Sequence, residues 1–562
     1  MSFKMKRAAL AASGILALCG TAARADFIDM WANKTDSPQN KAPPRGHSKL
    51  LVIPVEINYT GPNGAYPAVD HDKLDAFFNP DSIDVNKFTF PSFLRVASNN
   101  RFAAEVTVAP TVKYEGCPVA LAGSADCDIS RGDITALQSG MDFVRDVFRR
   151  AHDEYKVDFS KFDGNGLWNQ PDGYADGVMM LVNVPGVGIA FPIAYLNNGS
   201  NLNGSNGGPF VLDGVKIPYV AIGGVQYFGG AAHLETVIVH EFGHVLGLAD
   251  LYNEHPSVND PYPEYEGLHY STMGDWGYDD SAIIPDAESR RVLGWQDTQV
   301  ISGTQTLTLK PAAAGGKVVK MGMMDASGRQ EYFLAEVRGP SGAFDKGIVD
   351  GAGNPTWGLA VYHVDWAKGP LAANGMFTKR LLDCLDCDAW HPFIRNLESA
   401  NHFGLIFSGA TSGQRSTGFA DDQILFQTSS VLESLKSPGV LSATNRYTGT
   451  NWYDGTFSGI SISNVQVNSD HSVTATFTAP FVENACADVV CAPLEECVTN
   501  GPTAGSCAPI GDLPADAGLP FKPAPVADTS GCSTAPGTTS SALWMLPLIG
   551  LLGLAVRRQR KA

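Results

Sequence analysis

The chain has 562 residues, with 58 acidic residues against 40 basic ones and a formal net charge of −18. That length exceeds what one hydrophobic core supports, so two folded units with appendages are expected. The acidic balance excludes nucleic acid as an expected partner, since binding it requires clustered Lys and Arg to neutralise phosphates; acidic surface otherwise serves solubility and is compatible with calcium ligation.

Lys4, Lys6 and Arg7, the apolar run 8–19 and the small-residue site Ala23-Arg24-Ala25 make residues 1–25 a cleavable secretory signal. The chain is therefore expected outside the cytoplasm. Residues 26–47 are polar, contain proline, and form a segment too short for a folded inhibitory prodomain. The first buried strand is expected at 50–55, a short apolar run rich in branched residues. A helix follows around 134–155, where Leu137, Met141, Val144 and Val147 or Phe148 recur at three- and four-residue steps. Another strand is expected at 177–182, ahead of a Gly/Asn-rich loop through 208. Segment 215–220 reads as a core strand, or as the edge strand to which an extended substrate adds. A second helix runs from about 235 through 246, with apolar positions Val237, Ile238, Phe242 and Val245 and with Gly247 placed to end it.

That helix carries His240-Glu241-Phe242-Gly243-His244. Positions i and i+4 share a helix face, so His240 and His244 can direct two imidazoles at one metal while Glu241 reaches the metal's bound water. Catalytic zinc takes three protein ligands and keeps one position open, so a third donor is required. Asp250 stands at the extended metzincin spacing after Gly247, whose freedom allows a sharp turn; Glu266 in Tyr265-Glu266-Gly267 is the other candidate. Ser271-Thr272-Met273-Gly274 has the pattern of a Met-turn beneath such a site. Tyr252 is placed either to hydrogen-bond a tetrahedral oxyanion or to brace the turn.

After about residue 300 the texture changes to alternating segments at 305–309, 332–337 and 473–477, a β-rich, sandwich-like pattern. Cys19 leaves with the signal and Cys532 lies in the tail. The other eight cysteines suggest disulfides, with Cys117 near Cys127, Cys384 near Cys387, and a group of Cys486, Cys491, Cys497 and Cys507 whose three pairings stay open. Residues 508–530 are rich in Pro and Ala and read as a linker. Residues 531–562 hold Gly531-Cys532-Ser533, an apolar run at 542–556 too short for a full span, and a basic end. This arrangement resembles a MYXO-CTERM-type sorting tail, which implies processing near Cys532 and surface retention or release.

The stretch from His240 to Tyr252 resembles the immune inhibitor A-like metallopeptidases, a metzincin-like family of secreted bacterial proteases. Residues 158–166 with 174–177, 331–338 and 358–365 extend the likeness across roughly 48–480; Ala249 and Asn253 stand where that family usually carries proline and aspartate. The resemblance implies an α+β fold: a zincin catalytic domain over 48–300, with a mixed sheet and an active-site helix, then a β-rich sandwich-like domain over 301–480; the cysteine spacing adds a small disulfide module over 481–507. It implies a secreted zinc endopeptidase acting on proteins or peptides, with zinc on His240, His244 and Asp250, or Glu266 in the third place, where the family also carries glutamate, and with Glu241 as general base. Asp163, Asn165 and Asp176 look like the family's calcium-type loop, although a metal-free Asx- and Gly-rich turn fits the same residues equally well. A surface-displayed binding protein on an idle metzincin scaffold is the alternative function. Membrane contact is expected only through the tail, and nothing in the sequence specifies the oligomeric state.

Overall fold

The computed structural model describes residues 46–61, 64–118, 138–164, 171, 173–183, 210–217, 220–224, 234–246, 248, 251, 268–274, 282–322, 331–365, 391, 393–397, 399, 424–428, 430–434, 449–480, 495–499 and 505–509. The signal, the tail and most of the linker therefore lie outside the described residues. No helix among the described residues is long and apolar enough to cross a membrane.

Strand β1 (Gly46–Asn58) is the axis of the first half. Along one edge it pairs in turn with β2 (Phe102–Val108) and β3 (Val112–Glu115). Along the other it pairs with β4 (Gly177–Val182), which in turn pairs with β5 (Ala221–Gly224). Where a mixed sheet was expected, every described pairing here is parallel. Both faces are covered, which is why β1 and β4 read as continuous apolar runs. Leu50 and Val52 face a core shared with α1 (His71–Phe78) and α2 (Phe90–Ala97). Leu51, Ile53, Val55 and Ile57 face α3 (Gln138–Asp153), which buries the expected Val144, Val147 and Phe148 together with Phe143; Leu137 and the Met141 side chain lie outside the described residues. The period of two along the strand thus sorts its side chains into two separate layers.

The second half is β-rich, joined to the first through α4 (Leu234–Val245) and α5 (Ala287–Val292). Its strands are β6 (Thr298–Ile301), β7 (Gly303–Leu309), β8 (Val318–Met321), β9 (Glu331–Arg338), β10 (Gly358–Asp365), β11 (Ile394–Leu397), β12 (Leu432–Glu433), β13 (Ser461–Val467) and β14 (Val473–Ala479). A five-stranded sheet takes the order β6-β8-β9-β10-β11, and a four-stranded one the order β7-β14-β13-β12. Phe333, Val361, Ile462 and Phe477 fill the space between them. The four-stranded sheet turns its other face outward, where Thr304, Thr306 and Thr308 pair hydroxyl to hydroxyl with Thr478, Thr476 and Thr474.

The five-stranded sheet is buried on both faces. Its second face, with Val318, Tyr332, Leu334, Ala360 and Tyr362, belongs to the same core as Leu50, Phe90 and the α4 residues Ile238 and Phe242. The described fold is α+β, with few helices and several sheets, and one core runs across the compositional change near residue 300. Two short antiparallel hairpins complete it: Phe210–Leu212 with Val215–Ile217, and Glu495–Thr499 with Gly505–Pro509. The second sets Cys497 opposite Cys507 in register.

Candidate metal centre

Helix α4 exists because Ile238, Val239, Phe242 and Val245 give it an apolar stripe that docks against the parallel sheet and α2. The Phe242 ring meets Phe90 edge-on, with centroids 5.0 Å apart, and stacks near Phe102 at 6.2 Å. This packing fixes the rotation of the helix about its axis. It leaves His240 and Glu241 buried, at 1% and 4% exposure.

His240 Nδ1 lies 2.7 Å from the carbonyl oxygen of Thr272. A carbonyl only accepts, so Nδ1 carries a proton, and in the neutral ring that leaves the lone pair on Nε2. Metal-ligating imidazoles are commonly oriented in this way, by a bond from one ring nitrogen to a backbone oxygen. Nε2 stands 4.0 Å from Glu241 Oε1. His244 lies one turn further along α4, on the same face. Its side chain, and Gly247, Asp250, Tyr252 and Glu266, lie outside the described residues. Among the described residues no three His, Cys, Asp or Glu side chains group to hold a metal. Of the expected ligands, His240 alone has a described side chain, and its imidazole is a donor that fits zinc; Glu241, the expected general base, lies beside it.

The loop carrying Thr272 forms the floor of the site. Met273 is fully buried, and a Cβ built on Gly243 would lie 2.5 Å from its sulfur, so glycine lets the methionine side chain pack directly against the helix. Leu251 N donates to Met273 O at 2.8 Å and Leu268 N to Leu251 O at 2.7 Å. The chain that leaves α4 is thereby returned to the loop that holds His240. Gly274 is required as well, because a Cβ there would overlap the Leu268 carbonyl oxygen.

The loop is itself fixed from below. Ser271 Oγ donates to Asp286 Oδ2 at 2.6 Å and accepts from Met273 N at 3.1 Å. Thr272 Oγ1 donates to Ile283 O at 2.5 Å. Asp286 also caps α5, accepting from the backbone N–H groups of Glu288 and Ser289. Burial pushes its carboxyl above the ordinary range, against the lowering effect of the Ser271 and Ser289 hydroxyls. The sequence signal for Asp286 was its place as an N-cap; nothing marked it as a partner of the floor.

No family model matches the chain, and no curated protein matches it. The site therefore stands on its own chemistry.

The other candidate positions separate clearly. Asp163 Oδ2 accepts from Gly173 N at 2.9 Å, and Asp176 Oδ2, 2% exposed as a residue, accepts from Lys49 N at 2.8 Å. These carboxylates tie the loop to itself and to β1, and Asn165 lies outside the described residues. Val215 and Ile217 sit in the α3 layer, across the parallel sheet from α4, as part of a core hairpin. Pro218 and Tyr219 fall outside the described residues. Cys117 is disulfide-bonded. Cys127, Cys384, Cys387, Cys486 and Cys491 lie outside the described residues.

Proposed function

We propose that this chain is an exported zinc-dependent endopeptidase that hydrolyses peptide bonds of extracellular proteins. The observation that carries the proposal is His240: buried on an H-E-x-x-H helix, its Nδ1 is engaged by the Thr272 carbonyl and its Nε2 lies 4.0 Å from Glu241 Oε1. His240, His244 and Asp250 would hold the metal, with Glu266 as the alternative third ligand. Zinc, when bound, supplies a water of lowered pKa, about 7, and polarises the scissile carbonyl. Glu241 would act as the general base towards the attacking water and then as the proton donor to the leaving amine, and its side chain is buried, away from bulk water. Met273, packed against Gly243, gives the site a rigid apolar floor.

The likeness of 240–252 and the flanking strands to immune inhibitor A-like metallopeptidases supports the same reading. So does the secretory signal at 1–25, with the tail at 531–562 as the device for surface retention or release. Calcium on Asp163, Asn165 and Asp176 belongs to the proposal as a stabilising ion.

The purified mature chain should cleave casein, and both a chelator and Glu241→Ala should abolish cleavage while Glu241→Ala retains zinc. Full zinc occupancy with no cleavage across a broad protein set would instead establish the idle binding scaffold. Zinc stoichiometry measured separately for Asp250→Ala and Glu266→Ala identifies the third ligand.

A further inference from the structure

We infer that Arg338, on β9, is a positioning residue that sets the metal-binding pose of His240 from the β-rich half of the chain; the inference rests on the zinc reading above. Arg338 is fully buried and all five of its N–H groups are engaged. Nε and Nη2 donate to the two oxygens of Asp345 at 2.9 and 2.8 Å, and Nη2 also donates to Ile284 O at 3.1 Å. Nη1 donates to Tyr270 O at 2.5 Å and to Glu336 Oε1 at 3.2 Å.

Two of these contacts belong to the segments that build the floor. Tyr270 lies two residues before Thr272 and is held, fully buried, at φ 59°, a left-handed conformation that a bulky side chain seldom adopts. Such a conformation persists only where its surroundings dictate it. Ile284 adjoins Ile283, whose carbonyl receives the Thr272 hydroxyl. Asp345 closes the clamp by accepting from Ile284 N at 3.3 Å and donating its own N–H to Ala282 O at 3.1 Å. One guanidinium and one carboxylate thus fix both backbone segments flanking the carbonyl that orients His240.

Charge balance explains why the clamp is tolerated in the core. Glu336 pairs with both Arg338 and Arg290, and accepts from the Tyr362 hydroxyl at 2.8 Å. Burial alone would lower the Arg338 pKa, but Asp345, Tyr362 and Glu336 outweigh it and keep the guanidinium charged. Buried ion networks add little net stability compared with well-packed apolar groups, so their use lies in geometric specification. An apolar replacement donates to neither carbonyl, and lysine, with three N–H groups, cannot serve all these acceptors.

The test is Arg338→Lys in the full chain, read by zinc affinity in chelator competition and by the 15N signature of the His240 ring in the zinc-free protein. We expect a folded protein whose zinc affinity falls about tenfold and whose ring loses its exclusive Nδ1–H tautomer. Val473→Ala, in the outer sheet, is the destabilised control and should leave both readings at wild-type values. A folded Arg338→Lys with zinc affinity within twofold of wild type and the tautomer unchanged overturns the inference. Should Arg338→Lys not fold, Asp345→Asn carries the test with the same thresholds, since asparagine tolerates the φ of 56° at that position. A wild-type chain that takes up no zinc overturns the metal reading alone, and the tautomer then decides the clamp.

Discussion

Gly243→Ala isolates the packing of the floor against the helix. In an exposed helix interior the change should stabilise by about 1 kcal/mol, the propensity difference between glycine and alanine. Here the new Cβ would lie 2.5 Å from Met273 Sδ and 3.3 Å from its Cε, with Leu248 Cδ1 at 3.6 Å behind them. Ordinary contact needs roughly 3.5–4.0 Å, so the sulfur must retreat by about 1 Å or more inside a fully buried site. Overpacking of this kind costs about 1–3 kcal/mol, and after the propensity gain the net result is a loss of about 0–2 kcal/mol. Met273→Ala alone leaves a cavity and should cost about 2–5 kcal/mol. In the double variant the added methyl group occupies part of the vacated space, so its loss should fall short of the sum by about 1–2 kcal/mol. Urea unfolding at constant m-value measures all four corners of the cycle. Gly243→Ala stabilising by about 1 kcal/mol, with additive behaviour in the double variant, would refute the contact and with it the reason for glycine in this motif.

Asp176→Ala leaves the Lys49 amide without its acceptor and should cost about 1–3 kcal/mol by chemical unfolding; calcium in the millimolar range should raise the Tm of the wild type and not of this variant if the loop binds the ion. Lys320, beside Tyr332 with its ammonium 4.0 Å from the ring centre, has its pKa pushed from 10.5 down to about 7 by burial first and Arg291 second, against the pull of Glu288. The folded state then binds fewer protons than the unfolded state between about 7 and 10.5, so stability rises with pH across that window. Lys320→Met should therefore raise Tm most at or below pH 7, with the advantage shrinking towards pH 10.5, and a pH-independent difference would contradict the shift. His152, held by Asp153 and then Asp213, has its pKa raised above 6.5. Its ion pairs contribute fully below 6.5 and are lost as pH rises through the folded pKa, so its NMR midpoint should lie above 6.5 and fall in Asp213→Asn.

What the sequence discloses depends on which atoms carry the information. Strand β4 was legible as an apolar run, β10 only through the family likeness, and α4 with its histidine pair because a four-residue spacing has one meaning on a helix. Strand β1 starts four residues before its apolar run because parallel partners satisfy the backbone around Ser48 and Lys49 whatever their side chains. The short helices α1 and α2 went unread for want of length, although Asp70 and Thr89 cap them with side-chain bonds. The oxygen that orients His240 belongs to the backbone of Thr272, and every residue type carries that oxygen.

Glu336 and Arg338 show why the support of the site was the hardest part to foresee. In a strand read as one wall of a two-sheet sandwich, alternation assigns Glu336 and Arg338 to the solvent side. Both are instead fully buried, because the far face of β9 packs against the core that contains α4. A second covered face turns an alternating pattern into two buried layers, and the charges on the polar layer must then find partners inside the protein. They find them in Arg290, Asp345 and the carbonyls of Tyr270 and Ile284, contacts separated by 7 to 68 residues along the chain. No local pattern encodes such distances. The same packing that hides the network from the sequence brings the β-rich half to the floor beneath His240, so the candidate metal centre is a property of both halves together.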